Sequence, residues 1–281
     1  MQPSTPALAW GIPFAGLLAS MAVVPIVAPR FWHRRMGLLA LAWSAALVAQ
    51  QAAAVGLGAA VAGAWRALLI DYLPFITLLL ALYAASGGVL LRGGLAGTSA
   101  GNTAMLVLGM AMSLVMGTTG ASMVLIHPLL RANAHRRRKV HLVLFLIILV
   151  ANAAGALTPL GNPPLYIGLL HGVPFFWPAT HLLAPLLVIA GVMLTAFYLI
   201  DRHLAASEPP PPRPEALHVR GWGNVVLIVV VVALVLAQGF LPPREIELLG
   251  QPIAVAQLAG VVVLLGITLT SAAITPRAIR Q

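Results

Sequence analysis

In this chain of 281 residues, 60% are hydrophobic and 8% are charged, far from the roughly 25% charged residues of a soluble globular protein. The net charge of +10 comes from basic residues lying between apolar stretches; those stretches exceed the roughly 20 residues that cross a bilayer, so composition points to a polytopic membrane protein and carries no nucleic-acid signal. The absence of cysteine excludes disulfides, thiolate metal sites and cysteine nucleophiles.

Apolar spans are expected at about 7–29, 38–62, 67–91, 101–130, 141–172, 179–200, 222–240 and 253–271. The first has no basic side chain ahead of it and is followed by Arg30, Arg34 and Arg35, the flank of a span that leaves its N-terminus outside. Asp71, in "ALLIDYLPFI", is the one acid near an apolar run. An acid inside a span is a functional position, but Asp71 lies five residues from Arg66 and is expected at the outer interface.

The fourth stretch is decided by loop charge. If every stretch crosses once, the better orientation places eleven basic residues inside and five outside. If 101–130 enters and returns on one side as a re-entrant hairpin, fourteen lie inside and only Arg66 and Arg244 stay outside, a better fit to the positive-inside rule. Gly117, Thr118, Thr119 and Gly120 stand at the expected turn, where glycine permits reversal and threonine hydroxyls can satisfy nearby backbone. Each arm would hold about a dozen residues, roughly 18 Å of helix.

The fifth stretch, 141–172, is interrupted by "TPLGNPPLYIG". Prolines inside a helix cost about 3 kcal/mol or more. Pro159, Pro163 and Pro164 would free the carbonyls of Gly155, Pro159 and Leu160, tolerated at membrane depth only against protein or a wet cavity. One half-helix is expected to end near Leu157 and the next to begin at Pro163 or Pro164, with Asn162 as N-cap or ion ligand. Asn152, Gly155, Ala156 and Pro159 would share one small helical face, approached by the turn at 117–122. Thr118, Thr119 and Ser122 would then join Thr158 and Asn162 around one cavity whose hard oxygens suit sodium.

The polar loop 201–221 carries a proline run and is expected to be a stiff cytoplasmic linker. It would divide a transporter half at 1–200 from the start of a second half at 222–281. The fold class is an all-α polytopic membrane protein of about seven transmembrane helices plus the hairpin and the broken helix. No paired carboxylates, nucleophile-base arrangement or phosphate loop is evident: "GTTG" lacks the following lysine, and the chain is not read as an enzyme. Apart from Asp71, the acids Asp201, Glu208, Glu215, Glu245 and Glu247 fall in loops or at span ends. A proton exchanger needs a buried titratable group, and the sequence places none at an evident midplane position.

The segment from "GTTGAS" through the basic loop to "TPLGNPP" resembles a family of sodium:proton antiporters or citrate transporters within the ion transporter superfamily, more loosely over 1–240. The resemblance implies an inverted-repeat, sodium-coupled secondary transporter and a homodimer in a bacterial cytoplasmic membrane. It has no cofactor other than the coupling ion; sodium:proton antiport is the expected activity, and sodium-coupled transport of a small organic anion such as citrate or a dicarboxylate is the alternative. Thr118, Thr119, Ser122, Thr158, Gly161 and Asn162 match its ion- and substrate-binding segment. Thr118, Thr158 and Asn162 are the sodium candidates, with Asn152 added from the helical-face argument. Members usually carry a second hairpin and a second broken helix. Neither follows residue 172, so the chain is expected to be a C-terminally truncated first half, and a non-transporting membrane protein is the alternative of another class.

Overall fold

A computed structural model describes residues 10–94, 97–210, 215–240, 244–248 and 251–276. It is almost wholly helical, and among the described residues seven helical runs are long and apolar enough to cross a membrane. The chain divides into two compact units that meet in the sequence at Leu69 and Ile70.

In the first unit, α1 (Ile12–Val27) and α2 (Pro29–Val55) are joined through Ala28. Trp43 on α2 donates to the Ser20 hydroxyl on α1 at 3.1 Å. Its ring lies against the space a Cβ at Gly16 would take, so glycine there permits the contact. The expected span 38–62 ends early. Gly56, at φ +92°, occupies a backbone region that side chains resist, and it separates α2 from α3 (Leu57–Arg66).

A π-helical turn at Ala67–Tyr72 carries the chain across the boundary between the units and leads to α4 (Leu73–Gly87) of the second unit. Asp71 sits in that turn, and its carboxylate lies 3.5 Å from His171, with both side chains partly exposed. Strand β1 (Leu90–Gly94) follows, then α5 (Ser99–Ala132), opened by Thr98, whose hydroxyl accepts the Gly101 N–H at 3.1 Å.

Helix α5 is a hairpin. Asn102 and Asn133 exchange side-chain amide bonds of 3.0 and 2.7 Å, although a straight helix would hold them about 46 Å apart. A Cβ at Gly109 would likewise meet Leu125 of the other arm. Both pairs are centred on Gly117, the one non-helical residue within α5. The arms, Ser99–Met116 and Thr118–Ala132, are about 27 and 22 Å long. They are longer than the expected dozen residues each, because the Thr98 cap starts the first arm earlier and the second runs on to Ala132.

The broken helix is α6 (Val140–Phe145), a π-helical turn (Leu146–Val150), a 3₁₀ segment (Ala153–Leu157), an extended Thr158 and α7 (Pro163–Leu170). Then come α8 (Trp177–Ala205), strand β2 (Glu215–Arg220), α9 (Trp222–Phe240), the ribbon β3 (Glu245–Leu248) with β4 (Gln251–Ala254), and α10 (Val255–Ile274). Among the described residues, four short strands accompany the helices of this all-α chain. They form two antiparallel ribbons in loops, β1 with β2 and β3 with β4. Part of the expected linker 201–221 is therefore strand, and β2 ties the entry of α9 to the exit of α4.

Two apolar clusters make the core. One joins both hairpin arms to the broken helix through Leu106, Leu125, Leu129, Leu142 and Leu149, with Phe197 of α8. The other joins α4, α7, α9 and α10 through Leu78, Tyr166, Val231 and Leu264. A buried polar knot ends the second bundle: Asn224 donates to Thr275 at 2.8 Å and accepts from Ser271 at 2.6 Å, which satisfies its amide inside the protein.

Candidate functional site

The hairpin turn and the broken helix meet by exchanging backbone partners. In an uninterrupted helix the Thr118 N–H would donate to the Leu114 carbonyl. Gly117, at φ +77° and ψ 157°, breaks that bond, and Thr118 N–H donates instead to the Gly161 carbonyl at 3.4 Å. The Leu114 carbonyl receives the Thr158 hydroxyl at 2.7 Å. That hydroxyl also accepts the Gly161 N–H at 3.0 Å. Each interruption thus supplies the hydrogen bond the other has lost, which is what irregular backbone inside an apolar bundle requires.

Thr158 can do this because it is extended, at φ −136° and ψ 149°, while its carbonyl accepts from Gly161 and Asn162 at 3.0 and 3.4 Å. Gly155 and Gly161 make the crossing narrow. A Cβ at Gly161 would lie 2.7 Å from the Gly155 carbonyl oxygen, and one at Gly155 would lie 2.6 Å from the Thr118 methyl.

A cavity of about 340 Å³ adjoins this crossing. Helix α4 gives it an apolar wall of Ile76, Leu80 and Tyr83; the turn contributes Met116 to Gly120, and the broken helix Leu160 and Gly161. Thr118 and Thr119 at the turn and Tyr83 on α4 are its hydroxyl-bearing residues. The second hairpin arm begins here, bringing the positive end of its helix dipole to the cavity. The start of α7 offers an anion less. Pro163 and Pro164 have no N–H, and Leu165 N–H is taken by the Asn162 carbonyl at 3.0 Å.

The residues named from sequence fall into three groups. Thr118, Thr119, Thr158 and Gly161 come together at the crossing or its cavity. Asn162 is at the N-cap position of α7, with extended backbone, but its side chain makes no capping bond. Ser122 turns toward its own arm and donates to the Thr118 carbonyl at 2.7 Å. Asn152 is exposed and donates to the Ile147 carbonyl at 2.7 Å. The expected shared face of 152, 155, 156 and 159 does not form, because a π-turn and a 3₁₀ segment replace the regular helix there. The neutral oxygens at the crossing, from Thr118, Thr158 and the carbonyls of Leu160 and Gly161, are of the hard type that suits a small cation such as sodium.

Sequence reasoning missed the base of the hairpin. Asp201, placed among the span-end acids, is fully buried with Asn102 and Asn133. One signal was available: Asn102 and Asn133 stand 15 and 16 residues either side of Gly117 (117 − 102 and 133 − 117), positions that a symmetric fold brings together.

Among known proteins, the model of the family described as "putative citrate transport" matches residues 3–281. The match takes in both interrupted segments and the last two apolar helices. No curated protein and no solved structure matches the chain.

Proposed function

The chain belongs to the citrate transport family, and we propose that it acts as a sodium-coupled secondary carrier of a small organic anion such as citrate. One observation carries this reading: two interrupted helices exchange backbone partners beside a cavity, through Thr118, Thr158, Leu114 and Gly161. Broken elements of this kind use neutral oxygens for a cation and a helix start for an anion. Sodium would be held by Thr118 and Thr158, with Asn162 turning its amide oxygen to the ion. The anion would face the start of the second hairpin arm. Charge bias in the loops puts the N-terminus outside and both ends of the hairpin on the cytoplasmic side of a bacterial membrane, so that the hairpin is re-entrant. The carrier would work as a homodimer.

The test uses purified chain in liposomes with labelled citrate outside and an inward sodium gradient. Uptake should follow the gradient and be lost in Asn162→Ala at equal reconstitution. Unchanged uptake in that variant overturns the site. No sodium-driven uptake by the native chain, with no sodium-driven pH change, overturns the carrier reading.

Sodium:proton exchange is a second reading, favoured by the buried Asp201 carboxylate and the His141 ring 2.7 Å from it. This pair is buried, though it lies at the span ends and not at the midplane. A pH-sensitive dye inside the same liposomes, without citrate, separates the two: a sodium-driven pH change selects exchange.

A further inference from the structure

The carboxylate of Asp201 gathers four segments of chain. Its Oδ1 accepts from Arg136 at 2.5 Å and is contacted by His141 Nε2 at 2.7 Å. Its Oδ2 accepts from Asn102 at 3.2 Å. Arg136 also donates to the Gly97 carbonyl, and Asn102 is locked to Asn133. The carboxylate's own partners therefore come from the entry of the hairpin, the basic loop and the first turn of the broken helix, and Asn102 brings in the hairpin's exit through Asn133. Beneath them, Phe197 packs on His141 and Phe145 with ring centroids 6.1 and 5.2 Å apart.

This junction lies at the base of both elements whose tips make the crossing. The tips themselves are joined by the Thr158 hydroxyl to the Leu114 carbonyl at 2.7 Å and by the longer Thr118 to Gly161 bond at 3.4 Å. The base sets the geometry because the arms are long. An arm of about 27 Å turned by about 5° at its base carries its tip about 2 Å, enough to break that bond and to spoil a site that needs placement within about 1 Å.

We propose that Asp201 is a positioning residue for the tip site: its carboxylate fixes the angle between hairpin and broken helix and so sets the gap between Thr118 and Gly161. Arg136 and His141 are its partners in this, and Asn102 ties the near arm. The functional meaning rests on the reading of the crossing as the sodium site, whereas the geometry does not.

The chain has no cysteine, so paired spin labels can be introduced cleanly. Labels at Val115, at the hairpin tip, and Ile147, in the π-helical turn of the broken helix, both exposed, report the hairpin tip against the broken helix; labels at Val107 and Leu199 report the hairpin against α8. In folded, monodisperse protein, Asp201→Asn should widen and broaden the 115–147 distance by about 2 Å or more. Adding Arg136→Gln removes the orphaned cation, leaves two amides able to bond, and should draw the distribution back toward the native one. A native 115–147 distribution in folded Asp201→Asn overturns the proposal. If that variant does not fold, His141→Phe, which removes one partner of the carboxylate, is measured instead, and an unchanged distance again overturns it. Sodium dependence of citrate uptake is read on the same proteins. The half-saturating sodium concentration should rise about tenfold with less change in the maximal rate. Widened tips with native sodium dependence would leave the junction standing and remove the tips as the sodium site.

Discussion

Gly161→Ala tests the crossing most directly. The added methyl would sit 2.7 Å from the Gly155 carbonyl oxygen, 2.8 Å from its Cα and 3.1 Å from its carbonyl carbon. Carbon atoms rest at about 3.5–4.0 Å, so the two backbones must part by about 1 Å, and neither is a side-chain end that can swing away. Overpacking of this kind costs about 1–3 kcal/mol. The Thr118 to Gly161 bond, already 3.4 Å, would be lost with it, adding about 1 kcal/mol. The expected loss is about 2–4 kcal/mol. Gly191→Ala is the internal control: it lies in α8 with nothing within 4 Å of its Cβ position, and alanine there should stabilise the helix by about 1 kcal/mol. Thermal unfolding of the two variants in one detergent, beside the native chain, gives the comparison, and sodium-driven citrate uptake should fall only in Gly161→Ala. If Gly161→Ala were as stable as Gly191→Ala, the close crossing of Gly155 and Gly161 would be refuted, and the exchange of bonds built on it with it.

Gly117→Ala places a side chain at φ +77° and ψ 157°, a region essentially confined to glycine, and should cost about 1–3 kcal/mol, measured by the same unfolding assay. Thr158→Val keeps the shape but removes the hydroxyl that serves Leu114 and Gly161. It should cost about 1–3 kcal/mol through the unpaired Leu114 carbonyl, whereas Thr158→Ser should stay near native in both stability and uptake. Glu208, at the foot of α8, accepts the backbone N–H groups of Arg137 and Arg138 at 2.9 and 3.1 Å. The Arg137 bond, with that of Arg138 and the nearby guanidinium charges, holds its carboxyl below the ordinary range. Its folded pKa is depressed, so the anchoring is present above the unfolded carboxylate pKa and is lost as pH falls through the folded one. Protection of the Arg137 and Arg138 amides from hydrogen exchange, taken relative to the intrinsic rate at each pH, should fall over that acid range. Glu208→Gln should show fast exchange at neutral pH, and slow exchange in that variant would refute the anchor.

Read alone, the sequence determined the environment and most of the interruptions. Apolar runs between clusters of arginine can only be spans, because nothing else buries so much apolar surface. Glycine and proline mark where helices cannot continue, and the breaks fall where they stand: the 3₁₀ segment ends at Leu157, α7 begins at Pro163 and the hairpin turns at Gly117. Those are local properties of single residues, legible without neighbours. Gly56 is a local signal as well, and the expected span ran through it because hydrophobicity continues across it.

The tertiary structure decided which groups face each other. Thr118 and Thr158 are forty residues apart (158 − 118), and no local preference says that one helix will return the hydrogen bond the other gives up. Ser122 and Asn152 looked equivalent to them in sequence, yet their side chains close on their own segments. Asp201 illustrates the limit most clearly. By position it is a carboxylate at the end of a span; it is buried because Arg136, His141 and Asn102 arrive from three other segments to satisfy it. Burying a charge is tolerable only when its partners are already in place, and the placing of partners is a property of the whole fold.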